Sequence, residues 1–266
     1  MIRTNGSATA AVPTLQATGS AMSTTPESAP TLASVIEDLV DANHILFHQQ
    51  VVDAFGHVSV RHPHRADRFL LARNMAPARV TAQDIMEFEL GGTPVDAQGR
   101  RVYLERFIHG SVYRDRPDVM AVIHSHSPGV VPFTVSRRSR LQPICHMSGF
   151  LGAGTPLFEI RDHAGDGSDL LIGSDRLGRA LASTLGQANI VLMRGHGSTT
   201  VGPSLKLAVY RAVYGEINAR LQAQAQALGD PVFLTPQECE ATMASTEGQV
   251  ERPWDLWREA ARKARG

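Results

Sequence analysis

A chain of 266 residues, 42% of them hydrophobic, is long enough to bury one large core with appendages. Its 26 basic and 26 acidic side chains cancel, which argues against nucleic acid or an anionic membrane as a partner. No apolar run approaches bilayer-spanning length. The two cysteines, Cys145 and Cys239, are too few for a disulfide framework, so free thiols in a reducing cytoplasm are expected.

Residues 1–30 are rich in Ala, Ser, Thr and Pro and hold no large apolar cluster, so they are expected to be a disordered N-terminal extension, with Met22 a second candidate start. Ala10-Ala11-Val12 is too short for the apolar core of a secretory signal. Residues 31–266 are expected to form one folded domain. Leu32, Val35, Ile36, Leu39, Val40, Ala42 and Ile45 follow helical spacing and predict a helix ending near Val52. Phe55–Arg61 alternates like a strand, and Phe69–Ala72 reads as a second one, followed by the turn Arg73-Asn74-Met75. Thr81–Asp84 starts a short helix, Ile85–Leu90 is a strand, and Asp96–Gly99 is a turn.

The most informative stretch is Leu104–Val131. Glu105 and His109 stand four apart, which predicts a shared helix face. Pro117 disfavours helical geometry in Arg116 and ends that helix. Val119–Ile123 is a buried-strand run closed by His124-Ser125-His126. In an extended chain residues two apart point to the same side, so both imidazoles can converge on one ion, with Glu105 returned by the preceding helix. Pro128–Val135 is predicted to be a helix covering this strand. Further on, Ile144–Phe150 carries His146 without a clear period, and His163 is expected at the surface. Ser174 caps a helix that runs to Leu185. Asn189–Met193 is another apolar strand, and it delivers His196 into the glycine-flanked turn Arg194-Gly195-His196-Gly197. Ser198–Gly202 is a strand or turn. Pro203–Ala227 is a long amphipathic helix carrying Tyr210, Tyr214, Glu216 and Arg220. Thr235-Pro236 opens another helix, and Arg252–Arg265, with Trp254 and Trp257, forms the last.

Three imidazoles and a carboxylate suit a divalent metal ion (Zn2+, Mn2+ or Fe2+) with room left for a substrate. On these residues the chain resembles the class II aldolase/adducin family over roughly residues 33–225. The resemblance implies an α/β fold of three layers, a central mostly antiparallel sheet flanked by helices. It places the metal ligands on His124, His126 and His196, and an acid/base carboxylate, also within reach of the metal, on Glu105. It further implies a homotetramer with sites near subunit interfaces, where Tyr210, Tyr214 or the C-terminal segment reaches a neighbour's site. His57 stands where the family carries Asn. It is either a backbone-bonded strand residue or a substrate contact. His146 is a second candidate contact, because members without a phosphate pocket keep a similar His-Met-x-Gly-Phe run.

The small hydroxylated residues that cradle a sugar phosphate in the family's aldolases are missing. Tyr103-Leu104 precedes Glu105, and Arg73-Asn74-Met75 fills the turn. That departure resembles the subgroup of aromatic hydroxy-acid decarboxylases. The implied reaction is loss of carbon dioxide from a hydroxylated aromatic or heteroaromatic acid, with a divalent cation stabilising the enolate or phenolate and Glu105 moving the proton. Arg73 is then either a bidentate clamp for a second carboxylate or a solvated turn residue. An aldolase acting on a non-phosphorylated hydroxy-carbonyl compound is the alternative. A non-catalytic scaffold of the adducin type is disfavoured because the candidate ligands are all present.

Overall fold

The computed structural model describes residues 30–152 and 154–265. The N-terminal extension therefore lies, apart from Pro30, outside the described residues. In chain order the elements are α1 (Leu32–His48), β1 (His57–Arg61), β2 (Arg68–Ala72), β3 (Ile85–Glu89), α2 (Arg106–Asp115), β4 (Ala121–Ser125) and α3 (Val131–Val135). They continue as β5 (Leu157–Phe158), α4 (Arg161–Ala164), α5 (Asp175–Leu185), β6 (Ile190–Met193), β7 (Gly197–Gly202), α6 (Leu205–Leu228), α7 (Pro236–Glu247) and α8 (Glu251–Ala264).

The strands form one seven-stranded sheet in the order β3-β2-β1-β4-β7-β6-β5, antiparallel except where β5 joins β6. Strands β1, β4, β6 and β7 are buried along their whole length. A near-continuous apolar run such as Ala121-Val122-Ile123 fits a strand covered on both faces. Helices α2 and α5 pack together as one covering layer, and α1, α6 and α8 as the other. This is the expected three-layer α/β arrangement.

Several local expectations are corrected. Helix α1 stops at His48 rather than near Val52, because Gln50 adopts a φ of 59° and the amides of Val51 and Val52 turn back onto the Leu46 carbonyl. The helix expected over Pro128–Val135 is only Val131–Val135, preceded by a turn in which the amides of Val130 and Val131 both reach the Ser127 carbonyl. The two-residue strand β5 and the single turn α4 were not anticipated, being too short for a periodic signal.

Candidate metal centre

The centre lies where β4 ends at the middle of the sheet. His124 is the fourth residue of β4, pairing with His57 on β1 and Thr199 on β7, and His126 follows one residue beyond the strand. His196 sits in the three-residue turn that joins β6 to β7, where Met193 pairs with Gly197. Gly195 takes a φ of 66°, a left-handed conformation that glycine adopts without strain. Gly197 must also be glycine, since a Cβ there would stand 2.1 Å from the Ser125 carbonyl oxygen. The β6–β7 turn can thereby press His196 against the end of β4.

Glu105 occupies the N-cap position of α2, with a non-helical ψ of 17°, and does not share a helix face with His109. Its carboxylate still arrives at the histidines: Oε2 is 3.4 Å from His124 Nε2 and 3.5 Å from His196 Nε2. His126 Nε2 lies 3.0 Å from His124 Nε2 and 2.9 Å from His196 Nε2. One donor atom from each of these four residues lies within 4.8 Å of all the others.

The donor chemistry fits a divalent cation. His124 Nδ1 stands 3.1 Å from the Ser198 carbonyl oxygen, and His196 Nδ1 stands 2.9 Å from that of Leu170. A ring nitrogen beside a carbonyl oxygen must carry the proton, so both Nε2 lone pairs are turned toward the cluster. His126 Nε2 stands about 3 Å from each of them, so a cation among the three would meet a lone pair from every ring once His126 is also bare at Nε2. Burial, with the other two histidines adding to it, lowers His126 to about 4 and so favours the unprotonated form a metal requires. Burial likewise lowers His196. For Glu105 burial pushes the pKa up, but His124, His196 and the Ile172 amide outweigh it and hold the carboxyl below its ordinary range.

The cluster opens onto a cavity of about 290 Å³, lined among others by Phe55, His57, Met75, Tyr103, Leu104 and Leu171. Most of these side chains are apolar or aromatic, and Phe55 and Leu104 are exposed at its edge. The cavity lining contains no lysine or arginine.

The other residues singled out in the sequence divide. His57 is in the cavity wall and buried, and burial with His109 beside it holds its imidazole well below the ordinary value. Arg73 is not in that wall. Its Nε donates to Asp84 Oδ1 at 2.6 Å, and its neighbours Asn74 and Met75 line the cavity instead, which of its two readings favours the turn residue over the clamp. His146 and Tyr214 line a different cavity of about 340 Å³, with Tyr210, Arg252 and Trp257. His163 is exposed, as expected.

Three supporting residues have roles that the sequence did not assign. The Ile172 amide holds Glu105 Oε1 at 2.9 Å. His109 is fully buried and bonds to His57 and Ser59 rather than joining the cluster. Glu216, buried on α6, accepts from Ser127 Oγ and from the Gly129 amide, fixing the turn that follows His126. A carboxylate on the otherwise buried face of an amphipathic helix was the one clue available for it.

The mostly antiparallel sheet with helices on both faces matches what comparison with known proteins finds. The chain belongs to the family described as Class II Aldolase and Adducin N-terminal domain, whose model matches residues 37–223. It is 38% identical over 245 residues to Decarboxylase tropJ of Talaromyces stipitatus, covering 84% of this chain and 92% of that one. To the 3,4-dihydroxyphthalate decarboxylase of Arthrobacter keyseri it is 28% identical, covering 75% and 82% respectively. Among solved structures, an aldolase II superfamily protein from Pseudomonas syringae superposes with a TM-score of 0.72 at 22% identity, covering 88% of this chain and 94% of that one.

Proposed function

We propose that the chain is a divalent-metal-dependent lyase that decarboxylates a hydroxylated aromatic or heteroaromatic carboxylic acid. The observation that carries this reading is the cavity beside Glu105, His124 and His126, walled by Phe55, Met75, Tyr103, Leu104 and Leu171. Apolar walls suit a planar ring, and a phosphate would find neither a lysine or arginine nor a cradle of small hydroxylated residues there. The decarboxylase names of the two relatives support the same reaction class.

Breaking the bond to carbon dioxide leaves an electron pair on a ring carbon, which must then take up a proton. A divalent cation (zinc, manganese or iron(II)) held by His124, His126 and His196 would supply the Lewis acidity that takes up the developing charge. Glu105 provides the proton carrier. Oε1 is fixed by the Ile172 amide, so Oε2 is the oxygen available to hold and deliver a proton at the vacated carbon. His57 contacts the substrate from the adjacent strand. Phe55 and Leu104 cover the ring and exclude water.

His146 and Tyr214, which line a cavity apart from the metal cluster, would reach a substrate only through assembly. In a homotetramer their cavity would face a neighbouring subunit, and through it they would contact that subunit's substrate. Among the described residues no helix is long and apolar enough to cross a membrane, and Cys145 and Cys239 are free, which accords with a cytoplasmic enzyme.

The test is a screen for carbon dioxide release from aromatic acids hydroxylated beside the carboxylate, with hydroxy-carbonyl compounds and sugar phosphates assayed in parallel. Carbon dioxide from at least one aromatic acid is expected. Cleavage of a sugar or hydroxy-carbonyl compound, with no carbon dioxide from any aromatic acid, would overturn the reading in favour of an aldolase.

A further inference from the structure

We propose that His57 presents a fixed Nε2–H donor to a substrate oxygen in the metal cavity, and that a buried hydrogen-bonded chain through His109, Ser59 and Tyr113 sets this tautomer and orientation. The substrate contact rests on the decarboxylase reading; the tautomer does not.

The chain runs from β1 into α2. His57 Nδ1 is 2.6 Å from His109 Nε2, His109 Nδ1 is 2.6 Å from Ser59 Oγ, and Ser59 Oγ is 2.7 Å from the Tyr113 hydroxyl. His57 and Ser59 are two apart on a strand and so face the same layer, while His109 and Tyr113 are four apart on α2 and meet them there. All four side chains are buried, with Ser59 and His109 at 0% exposure, so water does not compete for these bonds.

Its direction follows from its closed end. Among the described residues the Tyr113 hydroxyl meets Ser59 Oγ and the Val122 amide, and an amide N–H can only donate to it. Were Ser59 to donate to Tyr113, the phenolic proton would be buried without an acceptor, an arrangement that native interiors avoid. Tyr113 therefore donates to Ser59, and Ser59 donates to His109 Nδ1. A neutral His109 then carries its proton on Nε2 and donates it to His57 Nδ1. His57 is left with its own proton on Nε2, for which no partner is found among the described residues, and its ring belongs to the cavity wall beside Glu105 and His124. The same reasoning separates His57 from the metal ligands: a nitrogen that carries a proton cannot coordinate. His109 acts through His57 and is a positioning residue.

The test uses the full-length zinc-loaded protein with 15N-labelled histidine, observing the ring nitrogens by NMR and assigning His57 by the signals lost in His57→Gln. The expected result is a neutral His57 protonated on Nε2, with Nδ1 bare. In parallel, His109→Leu should lower kcat by about 10–100-fold, the usual scale for losing the partner that orients a site histidine, at unchanged zinc content. His109→Gln, whose amide can still donate to His57 Nδ1, should recover most of that loss. A His57 proton found on Nδ1 overturns the proposal even if the Leu variant fails to fold, and equal turnover in the Leu and Gln variants overturns the positioning role. An Nε2 proton in a protein that releases no carbon dioxide from any aromatic acid would confirm the donor while removing the decarboxylase reading instead.

Discussion

The Ile172 amide donates to Glu105 Oε1 at 2.9 Å, joining residues 67 positions apart and leaving Oε2 alone to face His124 and His196. The carboxylate is thus held by one oxygen and used through the other. Glu105→Gln keeps the size and the bond to Ile172 but cannot carry the proton. It should remain folded and bind metal, with turnover lower by about 10²–10⁴-fold, the usual worth of general acid/base catalysis. Steady-state kinetics alongside metal analysis checks this, and near-normal turnover would move the proton carrier elsewhere.

Glu216 fixes the loop behind His126. Its carboxylate takes Ser127 Oγ, the Gly129 amide at 2.9 Å and Arg220 Nε at 2.5 Å. Glu216→Ala leaves the buried Ser127 donor unpaired and should cost about 1–3 kcal/mol of stability. Because the turn then relaxes, metal affinity should also fall, by about 10–100-fold, as it does when the partners that orient ligands are lost. Denaturant melts and a competitive chelator titration read the two effects separately. Unchanged metal affinity would limit Glu216 to a structural role.

Acid should destabilise the metal-free protein in a defined window. Burial, with His124 beside it, lowers His109 to about 3, and burial with the neighbouring histidines lowers His126 to about 4, both from an ordinary value of 6.5. The unfolded chain therefore binds protons at these sites before the folded one does. Stability is full above pH 6.5 and falls as the pH drops through about 4 for His126 and about 3 for His109. The depressed pKa of Glu105 acts in the same sense at the acid end. Thermal melts of the chelated protein from pH 7 downward should show Tm falling across this window, and a flat profile would mean that these imidazoles take up protons at the same pH in the folded and unfolded chain.

Much of this architecture was legible in the sequence because the signals were local. Ser174 marked the start of α5, and its apolar pattern ran to Leu185, the end observed. The two-residue period of a strand was enough to bring His124 and His126 to one point. What escaped depends on long-range pairing. Nothing in the sequence says that His109 meets His57 and Ser59 some 50 positions away, or that Glu216 reaches Ser127 and Gly129 across 87 or more. Arg73 shows the same limit: the sequence left it as either clamp or turn residue, and only the fold brings Asp84, just before β3, to accept from its Nε. Glu105 met the histidines despite a wrong local picture, since it caps α2 instead of lying along it.

The central claim joins the metal to the chemistry, and one titration tests that link. Protein stripped by chelator should release no carbon dioxide from the aromatic acid identified in the screen. Activity should then return in proportion to zinc, manganese or iron(II) added, up to one ion per chain, and His124→Ala, His126→Ala and His196→Ala should each abolish both the bound ion and the activity while the fold survives. Full decarboxylase activity in metal-free protein would contradict the account.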